Sequence, residues 1–244
     1  MSRIFNDKIK WECSKCNGLG WEVDELESIQ SNNGINGRCH GCYFPNKFLD
    51  ANIGYDYWVI DENNWEGAPE DLAQISGYFD KLDTLRSQGR GFYIFGPYGV
   101  GKTSLACLFL KMVLIRTQYS GLFVPFSELV MLNSKIVTGW HDKTIEDAIN
   151  QIKNVDFLVL DDLAKEYDNE RDNGRATLNT ILRYRDMWRK PTIYTANIPI
   201  SAIPDKYGAS NYSIIRGRST IVTMTSHADF RIERKMRQEL YDGV

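Results

Sequence analysis

Gly91-Phe-Tyr-Ile-Phe-Gly-Pro-Tyr-Gly-Val-Gly-Lys-Thr-Ser-Leu-Ala106 is the stretch that decides the fold. Phe92–Phe95 is a short apolar run suited to a buried strand, and Lys102–Gln118 carries apolar residues at helical spacing. Between them Gly96, Pro97, Tyr98, Gly99, Val100, Gly101, Lys102 and Thr103 fit G-x-x-x-x-G-K-[ST]. The glycines let the backbone curl so that successive N–H groups face one anion. The helix that follows adds its positive N-terminal end to the same place. The pattern predicts ATP or ADP in this loop. Lys102 would reach the β- and γ-phosphates, the Thr103 hydroxyl would bind Mg²⁺, and Ser104 would lie beside them. A glycine-rich turn with an accidental lysine is the bland alternative, and the flanking strand and helix argue against it.

Outward from this loop, short apolar runs alternate with longer helical stretches, which predicts a parallel sheet. The strands are expected at Phe92–Phe95, Leu122–Phe126, Phe157–Leu160, Thr192–Ala196 and Ile221–Met224. The helices are expected at Lys102–Gln118, Glu128–Lys153 with a break near Gly139, Arg175–Arg189 and Ala228–Tyr241. The strand Phe157–Leu160 runs into Asp161 and Asp162, the arrangement that holds Mg²⁺ opposite the loop threonine. Asp161 is the expected metal partner, through water, and Asp162 stands where a carboxylate polarises the attacking water. Glu166 is a second candidate for that role, or a solvated loop carboxylate. Asn197, at the tip of Thr192–Ala196, would orient the same water, or else cap the turn before Pro199.

The first 50 residues are rich in Cys, Gly, Asn and Trp and show no helical periodicity, so they read as a small unit that needs a staple. Cys13-x-x-Cys16 and Cys39-x-x-Cys42, 22 residues apart, would converge on one Zn²⁺ with tetrahedral thiolate coordination. His40 leaves a Cys₃His set open. Such a closed site is structural. Residues 51–70 read as a surface linker and Pro69–Ser87 as a lead-in helix, while Cys107 reads as core packing. The expected organisation is 1–50 zinc-binding, 51–88 linker and lead-in helix, and 89–244 nucleotide-binding.

A net charge of −3 over 244 residues excludes a histone-like basic sheath, so any nucleic-acid contact must come from local patches. The longest apolar run, Leu105–Ile115, is interrupted by Lys111 and too short to span a bilayer. The first ten residues contain no apolar h-region. These features predict a cytoplasmic location, in a bacterial cell or a phage-infected host, where clustered thiols serve as metal ligands rather than disulfides.

Four segments together resemble the helicase loaders of the DnaC/DnaI type within the AAA+ ATPases, and their IstB-type transposition relatives. They are CSKCNGLGWEV…GRCHGC, GPYGVGKTSLA, VDFLVLDDLAKE and LNTILRYRDMWRKPTIYTANIP. The resemblance implies an α/β P-loop AAA+ core, a five-stranded parallel sheet flanked by helices, with a zinc-ribbon-like unit ahead of it. It makes Asn197 the sensor-1 residue. It also implies an arginine acting in trans on a neighbouring copy's ATP, with Arg216 first choice and Arg218 second, and Arg231 near the γ-phosphate. Here the strand-end pair is Asp-Asp where the family often has Asp-Glu, so a shorter acid and slow hydrolysis are expected. The chain's end soon after Arg231 predicts a core without a full helical lid.

By the same resemblance, the zinc unit would grip a replicative DNA helicase, and the core would assemble into a ring or spiral on single-stranded DNA, with ATP as an assembly and release switch. Lys135, Trp140 and the Arg183–Lys190 cluster are candidates for the DNA path, by backbone tracking and stacking. A transposition helper that assembles on duplex DNA is the alternative. A small-molecule phosphotransferase is a more remote one, since no Arg-rich lid insertion or acceptor pocket is readable.

Overall fold

The computed structural model describes residues 43–138, 142–163 and 171–225. Its centre is a parallel sheet of β1 (Gly91–Phe95), β2 (Gly121–Pro125), β3 (Phe157–Leu163), β4 (Thr192–Ala196) and β5 (Ser219–Thr223), in the order β2-β3-β4-β1-β5. Successive side chains on a strand face opposite ways, so both faces must be covered. Helices α1 (Tyr43–Asp50), α2 (Pro69–Phe79) and α4 (Lys102–Arg116) cover one face, where Phe48, Ile75 and Phe109 meet Phe92, Ile94, Phe157 and Val159. A shorter helix, α3 (Leu82–Ser87), leads into β1. Helices α5 (Phe126–Val137), α6 (Lys143–Asn154), α7 (Arg171–Met187), α8 (Ile203–Tyr207) and α9 (Ala209–Arg218) cover the other face, against Tyr93, Leu122, Leu158, Leu160 and Tyr194. The chain therefore leaves β1 toward one face and β3 and β4 toward the other. This opens a crevice at the carboxyl ends of these strands, the place where open α/β sheets bind ligands.

The lead-in helix is two helices rather than one. The break falls at Asp80–Lys81, and the apolar spacing continues across it. The long stretch after β2 also divides, into α5 and α6, at the expected place near Gly139; Asp142 caps α6 by accepting from the Thr144 N–H at 2.8 Å. The carboxyl-terminal expectation Ala228–Tyr241 lies outside the described residues.

The segment expected as a surface linker is a packed strap. Ala51, Ile53 and Ile60 are buried, and Ala51 O accepts from the Phe123 N–H at 2.8 Å while Asn52 Nδ2 donates to Phe123 O at 2.9 Å. The strap thereby covers part of the outer edge of β2, an edge otherwise open to pairing with another chain. Lys111, on α4, holds it down: Nζ donates to the carbonyls of Tyr57, Trp58 and Ile60 at 3.0, 2.5 and 2.6 Å. Burial lowers the Lys111 pKa from its ordinary value. Cys107, on the same helix, is a fully buried free thiol, as expected, and burial pushes its pKa well up.

Asp71 lies in the first turn of α2, 2% exposed, and its Oδ2 has no hydrogen-bond partner among the described residues. Burial, reinforced by the charge of Glu70, raises its pKa to about 6. The folded carboxyl thus holds its proton more tightly than the unfolded chain does. The stability this gives is complete below the unfolded value, about pH 4, and is lost as pH rises through about 6. Asp71→Asn, which carries no charge at any pH, should melt above the wild type at pH 8 and by a shrinking margin as the pH is lowered to 5.

Candidate active site

Three strand ends meet in the crevice: β1 at Gly96, β3 at Asp161 and β4 at Asn197. The loop from Gly96 to Gly101 is built on backbone freedom. Gly99 and Gly101 sit at φ of 79° and 91°, the left-handed region that favours glycine, and Gly101 is the N-cap of α4. Gly96 is required for a different reason: a Cβ there would lie 2.3 Å from Met224 O, just beyond β5. Lys102, 6% exposed, turns back over the loop, and Nζ donates to Gly96 O at 3.0 Å and Pro97 O at 2.5 Å. Tyr98 is exposed at the loop's apex and Val100 is buried beneath it.

Thr103 and Asp161, 58 residues apart in sequence, are joined: Thr103 Oγ1 donates to Asp161 Oδ1 at 2.9 Å. An ionised carboxylate only accepts, so the hydroxyl proton must lie on this bond. The lone pairs of Thr103 Oγ1 are thereby left for a hard cation. Magnesium takes one or two protein oxygens with phosphate oxygens and water, and the donors here suit it. Among the described residues no cluster of three or more His, Cys, Asp and Glu could hold a metal.

Asp161 is also reached from a residue that the motif reading misses. Thr195, fully buried on β4, donates from Oγ1 to Asp161 Oδ1 at 2.6 Å and accepts from the Asp162 N–H at 2.9 Å. Strand β3 extends through Leu163, three residues beyond Leu160, and Asp162 within it has a φ of 57°. Asn197 follows β4 directly; its Oδ1 is buried and has no partner among the described residues. An acceptor left without a donor at a strand tip costs free energy unless something supplies one, and water or ligand at this crevice would. Tyr93, donating from its hydroxyl to Ile198 O at 2.9 Å, fixes the chain just after it.

A wall of the crevice comes from the strap. Ile60, Asn64, Trp65 and Gly67 line a cavity of about 20 Å³ with Gly101 and Ser104. The wall is a built turn: Asp61 Oδ1 accepts from the N–H groups of Asn63 and Asn64 at 2.8 and 3.0 Å, and Trp65 Nε1 donates to Ala68 O at 3.1 Å. A Cβ on Gly67 would strike the Trp65 ring at 2.3 Å. The legible signal was an Asp-x-Asn-Asn turn followed by a tryptophan, which composition alone reports as linker.

The two candidate arginines differ. Arg218 Nε donates to Asp186 Oδ1 at 2.6 Å as an ion pair, and Nη1 donates to Gln88 O at 2.8 Å, so it ties α9 to α7 and to the turn before β1. Arg216 is exposed and has no partner among the described residues. Arg218→Ala should therefore lower the melting temperature, by about 1 kcal/mol of stability. Arg216→Ala should leave it unchanged. If Arg216 is the residue that acts in trans, its loss lowers ATP turnover at high protein concentration about a thousandfold.

The candidate DNA cluster Arg183–Lys190 is not a single basic face. Arg185 is 1% exposed and faces inward, while Arg183 and Arg189 are exposed, and Lys190 Nζ donates to Asn154 O. This cluster adjoins the amino ends of β3 and β4, the opposite edge of the sheet from the loop. Lys135 is exposed near the end of α5. Cys13, Cys16, Cys39, Cys42, His40, Trp140, Glu166 and Arg231 lie outside the described residues.

No family model matches the chain. Over 133 residues, 53% of its length, it is 29% identical to the replicative helicase loader DnaI of Bacillus subtilis, of which it covers 40%. Over 117 residues it is 29% identical to an insertion-sequence ATP-binding protein of Sinorhizobium fredii, of which it covers 37%. The crystal structure of the DnaC helicase loader superposes with a TM-score of 0.62 at 25% identity, over 70% of this chain and 99% of that one. The chain is similar to the DnaC and DnaI helicase loaders. AMPPCP-bound DnaA from Aquifex aeolicus, at a TM-score of 0.53 and 22% identity over 72% of this chain and 54% of that one, shares the fold. The five-stranded parallel sheet with helices on both faces is thus the arrangement the chain shares with these proteins. The chain spans about two fifths of the length of the curated relatives it matches. None of the described helices is long and apolar enough to cross a membrane.

Proposed function

We propose that this protein is an ATP-hydrolysing loader of a replicative DNA helicase. The observation that carries the nucleotide half of this reading is the bond from Thr103 to Asp161 beneath a glycine loop, in a chain similar in sequence to DnaI and in fold to DnaC. In this reading the amides of residues 97–101 and the Lys102 ammonium hold the phosphates. Thr103 and Asp161 hold magnesium, which supplies neutralisation of the charge that develops between the β- and γ-phosphates. Asp162 takes the proton of the attacking water and Asn197 orients that water through its amide. Trp65 and Ile60 flank the nucleobase side. Arg216 completes a neighbouring copy's site, so that bound ATP reports assembly, and Arg231 lies by the γ-phosphate.

The remaining parts of the reading come from sequence. Cys13, Cys16, Cys39 and Cys42 bind Zn²⁺ in a unit that grips the helicase. Copies of the core then form a ring or spiral on single-stranded DNA, and hydrolysis loosens it. The likeness to an insertion-sequence ATP-binding protein supports a second reading, assembly on duplex DNA to recruit a recombinase.

One experiment separates the two. The protein is mixed with a bacterial replicative helicase and with single-stranded or duplex DNA, with and without ATP, and the assemblies are weighed by native mass spectrometry. A nucleotide-dependent complex of helicase, protein and single strand supports the loader. Assemblies on duplex alone, with no helicase bound, replace it by the second reading.

A further inference from the structure

We propose that Thr195 is a positioning residue of this site, whose hydroxyl sets the Asp161 carboxylate for magnesium and fixes the backbone that carries Asp162. The inference rests on the nucleotide-site reading above. It starts from a fault in the sheet. Leu160 pairs with Tyr194 and Leu163 with Ala196, so Asp161 and Asp162 together face Thr195 alone. That is a β-bulge, in which the extra residue loses its ladder partner. Asp162 adopts a φ of 57°, in the left-handed region that a side chain seldom occupies, and its N–H needs an acceptor that the β4 backbone does not supply.

Thr195 Oγ1 is that acceptor, at 2.9 Å. Accepting this N–H leaves the hydroxyl its single proton, which goes to Asp161 Oδ1 at 2.6 Å. The same oxygen receives the Thr103 proton at 2.9 Å. Two hydroxyls from two different elements thus converge on one carboxylate oxygen and define where the carboxylate points. With Thr195 fully buried, no solvent can replace its hydroxyl without a rearrangement. A valine would keep the shape and the β-branch. It would also take the Thr195 acceptor from the Asp162 N–H and the Thr195 donor from the Asp161 carboxylate.

The test compares wild type with Thr195→Val and Thr195→Ser, by equilibrium binding of a fluorescent ATP analogue over a range of Mg²⁺ concentrations and in EDTA. Thr195→Val is expected to need about tenfold more Mg²⁺ for the same occupancy, with its metal-free binding unchanged. Thr195→Ser, which keeps the hydroxyl, should stay within about twofold of wild type. If Thr195→Val does not fold, Thr195→Ala, which likewise lacks the hydroxyl, serves for the same comparison. A magnesium curve for the hydroxyl-free variant that overlays the wild type, whatever its melting temperature, overturns the proposal and leaves Thr195 a packing residue. Wild-type protein that binds no analogue at all overturns the nucleotide-site reading as well, so the two failures are distinct.

Discussion

Arg185→Met is expected to leave the protein unable to hold its fold through a moderate urea titration. Sequence places Arg185 in a basic run, but its guanidinium is buried at the amino edge of the sheet. Nη1 donates to the carbonyls of Ile152, Lys153 and Val155 at 3.0, 3.2 and 3.0 Å, and Nη2 to those of Asp156 and Pro191 at 3.3 and 2.7 Å. Nε donates to Thr192 Oγ1 at 2.9 Å. These carbonyls terminate α6 and lead into β3 and β4, so one side chain gathers the chain ends of two adjacent strands. Burial draws its pKa down from the usual arginine range, and the ring of acceptors compensates the buried charge. Methionine matches the stem but supplies none of these hydrogen bonds; Pro191 O keeps the Leu158 N–H at 3.2 Å, while each acceptor left without a donor costs about 1–3 kcal/mol before relaxation. A loss of about 4 kcal/mol or more is expected, against a total stability of about 5–15 kcal/mol for a domain. Arg185→Lys, a point charge without the fork, should fall between. A urea midpoint unchanged in Arg185→Met would contradict this account of the sheet edge.

Asp161→Asn should cut ATP hydrolysis by about 100- to 1,000-fold while leaving the melting temperature near that of wild type. The asparagine keeps an Oδ1 to accept from Thr103 and Thr195, so the strand-end geometry persists. The negative charge that would draw magnesium to Thr103 is lost. Steady-state phosphate release at saturating ATP and Mg²⁺ measures this. Variant turnover equal to wild type would mean that the metal is held elsewhere.

The glycine loop, the strand before it and the helix after it were legible because their residues have few other uses. Left-handed glycines, a lysine and a threonine between an apolar strand and a helix admit little besides a phosphate cradle. Strand β4 was readable to the residue since Lys190-Pro191 precedes it and Asn197 follows. Strand β3 reads three residues short, because its tip carries two aspartates that hydropathy assigns to a loop, while the pairing of Asp161 with Pro125 and the bulge against Thr195 keep them in the sheet. The strap from Ala51 to Ile60 reads as linker for a related reason. What α4 captures there is three carbonyl oxygens, which all residues carry and no hydropathy pattern reports. The same blindness hid Arg185, whose partners are likewise mostly carbonyls. Thr195 looked like one more β-branched residue in a buried strand, and its role follows only from the register of the neighbouring strand.

The proposed function and the role of Thr195 both require that the loop around Lys102 hold a nucleotide. Isothermal titration of Mg·ATP into the wild-type protein and into Lys102→Ala tests it most directly. Lys102 supplies the one cationic side chain within the loop motif, and its removal keeps the loop's glycines and backbone amides. Saturable binding to one site per wild-type chain is expected, with affinity reduced by about 100-fold or more in Lys102→Ala and both proteins folded. Equal binding by the two, or no binding by the wild type, would contradict it.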